Sequence, residues 1–320
     1  MKNYQITLTP LEPYFFGGAR TFGKKGDKKH GSYIAQSTKL PQQTAFLGLL
    51  RKEILSYHNA LNKENENFDE LKALVGTNRF KINTKHKYKK NDYGALVSIS
   101  EVLIQEKEQT YYILKDIFDF KLSQDPFILQ GYTPKKSIEH KLFSSDFQKS
   151  ISLDDILTPK EQVGNAKGDD TNGFFKKISY TMKQGYSFSY FIEWDHDFDL
   201  KKLSQKIVFF GAERSKFLLE VKTAPKPTLT GVKKLKDDEE HMLLLSDSYI
   251  DVTLAKECAF ALSSETSFSY LTNHQKGSIK SKVYFLYEKG TLIINPSEKL
   301  KQNIEKQSLQ QVGYNNYIIY

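Results

Sequence analysis

The segments LTPLEPYFFGGARTFG (8–23) and LPQQTAFLGLLRKEIL (40–55) decide how this chain of 320 residues begins. A polar, lysine-rich spacer lies between them. Gly17 and Gly18 in the first segment allow the backbone to turn sharply and let a ligand approach it closely. Pro41 in the second segment stands where a helix starts. The two segments therefore predict a glycine turn, a basic loop and the first turn of a helix in close succession.

Apolar periodicity predicts the elements on either side of this turn. Before it, Ile6 and Leu8 alternate with polar residues, which is the pattern of a half-buried strand. After it, Phe46, Leu50 and Ile54 are four residues apart and share one face of an amphipathic helix. The chain thus begins as strand, turn, loop and helix.

The composition is that of a globular protein, with 39% hydrophobic and 13% aromatic residues. Cys258 is the single cysteine, which excludes an internal disulfide and a cysteine-based zinc site and fits a reducing cytoplasm. The first residues lack the apolar core of a signal peptide, and no apolar run reaches the roughly 18 residues of a membrane span. We therefore expect a cytoplasmic protein that does not contact a membrane.

The charge balance favours a polyanionic partner. The formal net charge is +9, although a surface coated with lysine for solubility would give the same value. The arginines distinguish a polyanionic partner from a merely solvated surface better than the net charge does. There are four: Arg20, Arg51, Arg79 and Arg214. Lysine replaces arginine almost everywhere else, so the remaining guanidinium groups are expected where a planar, bidentate contact to phosphate or a base edge is needed.

The second half of the chain repeats the order strand, helix, strand, strand, helix, strand. YSFSYFIEW (186–194) alternates cleanly and predicts a strand. Asp199 is expected to cap a helix carrying Leu200, Leu203 and Ile207. KVYFLYEKGTLII (282–294) is expected to form a hairpin around its Lys-Gly dipeptide.

This order, seen more loosely in the first half, predicts an α+β fold made of two ferredoxin-like (RRM-type) modules with loop insertions. We expect an N-terminal domain over residues 1–184 and a C-terminal domain over residues 185–320. Neither a Rossmann fingerprint nor a Walker A segment is present, so nucleotide-binding folds of those types are not indicated.

Two further segments could bind an anion. The basic spacer KKGDKKHGSY (24–33) precedes a helix start, whose unpaired N–H groups bind phosphate, although lysine-rich loops are often merely solvated. GAERS (211–215) is a glycine turn carrying Arg214; it could be only a hairpin turn, but we favour a functional loop. The aspartates of WDHDFD (194–199) lack the glycine and glutamate of a calcium loop, and the seven histidines are scattered, so no metal site is expected.

Four segments, the last of them in two parts, together resemble the RAMP superfamily of CRISPR effector complexes, and specifically the third-subunit family of the type III-B (Cmr) complex. The resemblance lies in 8–23, 40–51, GAERSKF at 211–217, KVYFLYEKG at 282–290 and VGYNNYI at 312–318. VGNAKGDDTNGFFKKISYTM (163–182) also resembles a loop of that family that packs over the guide RNA, although Asn165 replaces its usual apolar residue.

The resemblance implies a non-catalytic subunit that binds and caps the 5′ handle of the crRNA in antiviral defence. It implies the large polymerase-like subunit and the first backbone subunit as partners, with target RNA contacted indirectly, and it implies no cofactor. The residues that it and the local chemistry assign to RNA binding are Gly17, Gly18, Arg20, Phe22, Lys24, Lys25, Lys28, Lys29, His30, Gln42, Gln43, Thr44, Arg51, Asn165, Lys167, Gly211, Arg214 and Lys216.

Two alternatives stay open. The chain could be the equivalent subunit of another type III complex. It could also be a metal-independent endoribonuclease that processes CRISPR repeats, with His30 as the acid–base residue. Those nucleases end in a loop with several glycines, whereas the end of this chain, QQVGYNNYIIY (310–320), has one.

Overall fold

A sheet of nine strands organises most of the chain in the computed structural model. The structure describes residues 1–17, 20–22, 33–61, 68–77, 79–82, 92–123, 128–133, 135–166, 173–235, 238–274, 277–306 and 308–320. The helices are α1 Gln43–Tyr57, α2 Phe68–Val75 and α3 Glu298–Lys306.

The strands in chain order are β1 Lys2–Pro10, β2 Arg20–Phe22, β3 Tyr33–Gln36, β4 Leu96–Ile99, β5 Leu103–Glu106, β6 Gln109–Lys115, β7 Lys121–Leu122, β8 Leu129–Gln130, β9 His140–Ser144, β10 Ser150–Ser152, β11 Leu157–Ala166, β12 Gly173–Met182, β13 Tyr186–Trp194, β14 Lys206–Phe210, β15 Ser215–Thr223, β16 His241–Leu244, β17 Phe260–Leu262, β18 Glu265–Phe268, β19 Leu271–His274, β20 Gly277–Lys280, β21 Tyr284–Tyr287, β22 Leu292–Ile294 and β23 Tyr317–Ile319.

The large sheet contains the first ferredoxin-like module. Its order is β10-β9-β6-β5-β13-β1-β15-β14, with β4 also paired to β13. The central run β5-β13-β1-β15 is antiparallel throughout and has the strand order of a βαββαβ unit, in which α1 follows the first strand. In the place of the second helix stands a single 3₁₀ turn, Leu200–Leu203.

The second module repeats this order with a smaller sheet. Its strands are arranged β17-β22-β16-β23, again antiparallel, and α3 lies between β22 and β23 in the chain. The α+β architecture with two ferredoxin-like modules is therefore present. Strands β13 to β15, which were expected to open the second domain, hydrogen-bond within the sheet of the first. The boundary between residues 184 and 185 stays a prediction, and the large sheet extends across it.

The two faces of the large sheet are covered differently. On one face α1 contributes Phe46, whose ring stacks on Tyr190 with centroids 3.7 Å apart. On the other face the second module packs through Leu243 and Leu245 in a shared cluster of buried residues. Because both faces are covered, polar Gln5 of β1 is buried too, and its amide donates to Gln105 and Ser189 of neighbouring strands. The strand predicted as half-buried is thus buried on both sides in its middle.

Two local predictions are wrong. Asp199 does cap a turn, since its side chain accepts from the Lys201 N–H, but the turn ends at Leu203. Ile207, expected on that helix, lies in β14 and is 59% exposed, because β14 pairs with β15 instead of extending the helix. The expected hairpin at 282–294 also does not form.

The strands of that expected hairpin, β21 and β22, belong to different sheets. Gly290 between them has φ +78°, and a Cβ atom there would lie 2.2 Å from the Lys115 nitrogen of β6. The Lys289-Gly290 turn therefore docks the second module against the first.

A smaller sheet carries the first glycine segment. Its order is β11-β12-β3-β2, in which β3 pairs with β12 in parallel and the other pairs are antiparallel. The hairpin β11–β12 thus meets the strands that flank the basic spacer. Among the helices that the structure describes, none is both long and apolar enough to span a membrane.

Candidate nucleic-acid interface

The two glycine turns predicted to bind RNA lie against each other. The Ala212 N–H donates to the Phe15 carbonyl oxygen at 2.9 Å. Gly211 has φ +92°, and a Cβ atom at this position would lie 2.6 Å from the same oxygen. A Cβ atom on Gly17 would lie 3.9 Å from the Cβ of Ala212. A glycine is therefore required at 211 for the two turns to meet.

The first turns of α1 form the opposite wall of a groove at this point. Gln42 is the N-cap residue of α1 and is half-buried, and its side chain makes no capping hydrogen bond. The groove, which we call the α1 groove, is lined by Phe16, Gly17, Thr38, Gln42, Ala45, Gly48, Leu49, Lys52, Phe209, Phe210, Gly211, Ala212 and Leu271. Many of these side chains are small, so a chain such as an RNA backbone can approach the protein main chain closely.

Cationic side chains surround the α1 groove. Arg214 and Lys216 are exposed at the end of the second glycine turn, and Arg214 has φ +57°. The guanidinium carbon of Arg214 lies 5.2 Å from the centroid of the Phe209 ring. Lys52 of α1 lies 6.0 Å from the same ring and also pairs with Glu53 at 3.3 Å. These three cations give the groove mouth a positive rim, which suits phosphate groups.

The hairpin β11–β12 reaches the second glycine turn through an ion pair. Lys177 of β12 pairs with Glu213, and its Nζ lies 5.4 Å from the centroid of the Phe15 ring. The main chain of Asn165 pairs with Phe174 across this hairpin, and the Asn165 side chain lies outside the description. The segment predicted to pack over RNA therefore stands beside the α1 groove.

Two predicted contact residues have partners within the protein. Gln43 is 5% exposed, and its amide donates to the carbonyl oxygens of Ser100 and Gly313, both at 2.9 Å. It therefore holds the start of α1 to the second module. Arg51 is half-buried, its guanidinium carbon is 5.2 Å from the Tyr93 ring, and burial lowers its pKa. Thr44, on the first turn of α1, is half-buried.

The side chains of the remaining predicted contact residues lie outside the described part of the structure. Arg20 and Phe22 belong to β2, where only the main chain is described and pairs with β3. The others lie outside the described residues, and they are Gly18, Lys24, Lys25, Lys28, Lys29, His30 and Lys167. No group of three or more potential metal ligands occurs among the residues that the structure describes.

Three residues at the groove were not predicted: Lys52, Lys177 and Phe209. Lys52 and Lys177 carry no local signal that separates them from the many other lysines of the chain. The alternation in β14 does place Phe209 and Phe210 on opposite faces, which was the one available signal. Which of the two faces is exposed depends on β14 being the last strand of the sheet, and strand order is not visible in local sequence.

Comparison with known proteins gives a likeness of fold. A chain of the type III-B Cmr-beta complex bound to cognate target RNA, solved by cryo-EM, is 16% identical, with a TM-score of 0.55 over 99% of this chain and 96% of that one. A chain of Cmr-beta bound to cognate target RNA and AMPPnP, state 1, is 15% identical, with a TM-score of 0.54 over 98% of this chain and 96% of that one. No family model and no curated protein matches.

A chain of a type III-A CRISPR-Cas interference subcomplex is 10% identical over 92% of this chain and 93% of that one, but its TM-score of 0.40 is too low to carry an argument. The likeness to the two Cmr-beta chains confirms the expected α+β fold. It extends over nearly the whole length of both chains, so both modules and their arrangement in sequence are shared.

Proposed function

We propose that this chain is a non-catalytic subunit of a type III-B CRISPR-Cas effector complex, and that it binds the 5′ handle of the crRNA in the α1 groove. The observation that carries the proposal is the convergence of separate segments. The turn at Gly17, the first turns of α1 and the turn at Gly211 are distant in sequence, yet they line one groove. Each of them was expected to bind RNA from the resemblance together with its local chemistry. The shared RAMP-type fold supports the same assignment.

The chemistry of the α1 groove suits a single-stranded RNA. Small residues on its walls let a sugar-phosphate backbone approach, and Arg214, Lys216 and Lys52 can neutralise phosphates at its mouth. In an effector complex the proposed protein partners are the large polymerase-like subunit and the first backbone subunit. Target RNA is contacted indirectly, through the guide, and the whole assembly serves antiviral defence in the cytoplasm.

We expect binding of a handle-containing RNA to weaken steeply with salt. Each neutralised phosphate of a single strand adds about 0.7 to the slope of log affinity against log salt concentration. Fluorescence anisotropy with a labelled handle oligoribonucleotide measures that slope. Lys216→Gln, beside the α1 groove, should reduce the slope by about 0.7. Lys222→Gln is the matched control, because Lys222 is exposed on the same strand and pairs with Glu108 instead.

An affinity that does not change between low and moderate salt would contradict the proposal, and so would equal effects of the two lysine variants. If Lys222→Gln reduced the salt slope and Lys216→Gln did not, the RNA would bind outside the α1 groove.

We also expect the purified protein to leave RNA uncut. The sequence offers no paired histidines and no acid–base pair at motif spacing, and the related subunits were assigned no cleavage step. Incubation with a radiolabelled CRISPR repeat RNA, resolved on a denaturing gel, tests this. Cleavage that disappears with His30→Ala would replace the proposal by the repeat-processing nuclease.

A further inference from the structure

Phe209 is an exposed aromatic ring in a place where packing does not require one. It lies on β14, the last strand of the large sheet, and its side chain is 41% exposed. Its neighbour Phe210 points the other way and is buried in the main core. The ring of Phe209 therefore contributes little to the core. Exposing so much aromatic surface to water is unfavourable unless something covers it.

The surroundings of this ring are cationic. Arg214 lies 5.2 Å and Lys52 lies 6.0 Å from the ring centroid. Lys216 is the cross-strand partner of Phe209, so the two side chains leave the sheet on the same face. An apolar protein surface would have to desolvate all three cations to cover the ring. A nucleotide would instead offer a flat base to the ring and a phosphate to the cations.

The position of the ring is also right for a nucleotide. Phe209 lines the α1 groove together with Gly17, Gly211 and Ala212, so a base stacked on it would belong to a strand that follows the two glycine turns. We infer that Phe209 is a base-stacking residue, which receives one unpaired nucleobase of the RNA while Arg214 and Lys52 contact the flanking phosphates. This inference rests on the proposed function and adds the residue that holds a base.

The test uses the full-length protein and a handle oligoribonucleotide. Phe209→Leu keeps an apolar side chain on β14 but removes the π face, whereas Phe209→Trp keeps it. Ile207→Ala is the matched control, because Ile207 is 59% exposed on the same strand and offers no ring. We expect Phe209→Leu to weaken binding about ten-fold. We expect Phe209→Trp and Ile207→Ala to bind like the unchanged protein, with unchanged thermal unfolding in all three.

Two further readouts separate stacking from a positioning role. The salt slope should stay unchanged in Phe209→Leu, because no phosphate contact is lost. A slope lower by about 0.7 would mean that the ring only positions Arg214 for a phosphate contact, and it would overturn the stacking role. The second readout uses a series of oligonucleotides, each lacking one base at a different position. Loss of the base that stacks on Phe209 should weaken binding to the unchanged protein, and the same loss should not weaken binding to Phe209→Leu further.

Unaltered RNA binding by Phe209→Leu would overturn the inference and leave the proposed function standing. Absence of RNA binding by the unchanged protein would overturn both.

Discussion

Arg51 and Arg214 each lie 5.2 Å from the centre of an aromatic ring, but their surroundings differ. Arg51 is half-buried against Tyr93, where burial lowers its pKa. Arg214 is exposed beside the α1 groove. The scarcity of arginine therefore marks two kinds of site, since a planar guanidinium is as useful for packing on a ring as for contacting a phosphate.

We expect Arg→Lys to separate these two roles. Arg51→Lys should lower the free energy of unfolding by about 1 kcal/mol, because the planar contact with Tyr93 is lost, and should leave RNA affinity unchanged. Arg214→Lys should weaken RNA binding and leave stability unchanged, because the bidentate contact to phosphate is lost while the charge is kept. Thermal unfolding measured beside RNA affinity checks both, with Arg79→Lys as the control outside the motif segments.

Equal and negligible effects at all three positions would remove any special role for arginine in this chain.

Single side chains were predictable only as far as their chemistry is local. The residue types at Gly211 and Arg214 predicted a close approach and a cation, and the structure has both at the groove. Gln43 was assigned to RNA because it is polar and stands at a helix start. Its actual partners are carbonyl oxygens 57 and 270 residues away, and no local pattern could have revealed them.

At the scale of elements, the hairpin β11–β12 is coupled to the second glycine turn by the pair Lys177–Glu213. The carboxylate of Glu213 neutralises a lysine that stands beside the proposed RNA path. It therefore occupies, in the protein without RNA, a position that suits a phosphate.

We expect Glu213→Gln to strengthen RNA binding a few-fold and to steepen the salt slope by about 0.7, because Lys177 then becomes available to one phosphate. Glu108→Gln is the control, since Glu108 pairs with Lys222 on a different part of the sheet. Anisotropy titrations at three salt concentrations give both quantities. Weaker binding by Glu213→Gln would show that the ion pair instead holds the hairpin in its binding position.

The strands β1 and β13 and the helix α1 were predictable, because each shows its own period in the sequence. The failures at this scale share one cause. Leu200, Leu203 and Ile207 have helical spacing, yet the pairing of β14 with β15 takes Ile207 out of the helix. Likewise, β21 and β22 pair with strands far away in the chain and not with each other. Whether such a segment forms a helix, a hairpin or a strand of another sheet depends on pairing with distant strands, and the local sequence pattern does not show that pairing.

At the scale of the whole molecule, the contact between the modules includes a half-buried histidine. His140 begins β9 and lines a cavity between the modules together with Asp247, Glu288 and Lys289. Burial, helped by the charges of Lys289 and Lys115 and opposed by those of Glu288 and Asp247, lowers the pKa of His140 to about 4.

We expect the free energy of unfolding to decrease as the pH falls from about 6.5 towards 4. In that range the unfolded chain binds a proton at His140 and the folded chain does not, so acid favours unfolding, by at most about 1.4 kcal/mol per pH unit for this one group. Above pH 6.5 the histidine is neutral in both states and contributes no pH dependence. Chemical denaturation at several pH values measures the effect.

His140→Gln should remove that part of the pH dependence, whereas His196→Gln, at an exposed position, should not. An identical pH profile for the His140 variant would show that His140 is accessible to protons in the folded protein.

The pairing of β1 has a consequence for how the chain folds during synthesis. Leu8 of β1 lies opposite Phe188 on one side and Leu219 on the other. A ribosome adding about 5–20 residues per second makes the second partner roughly 10–40 s after the first strand has been synthesised. Throughout that time at least one edge of β1 stays open, which invites aggregation. Slower translation between β1 and β15 therefore lengthens the time for which this edge is exposed.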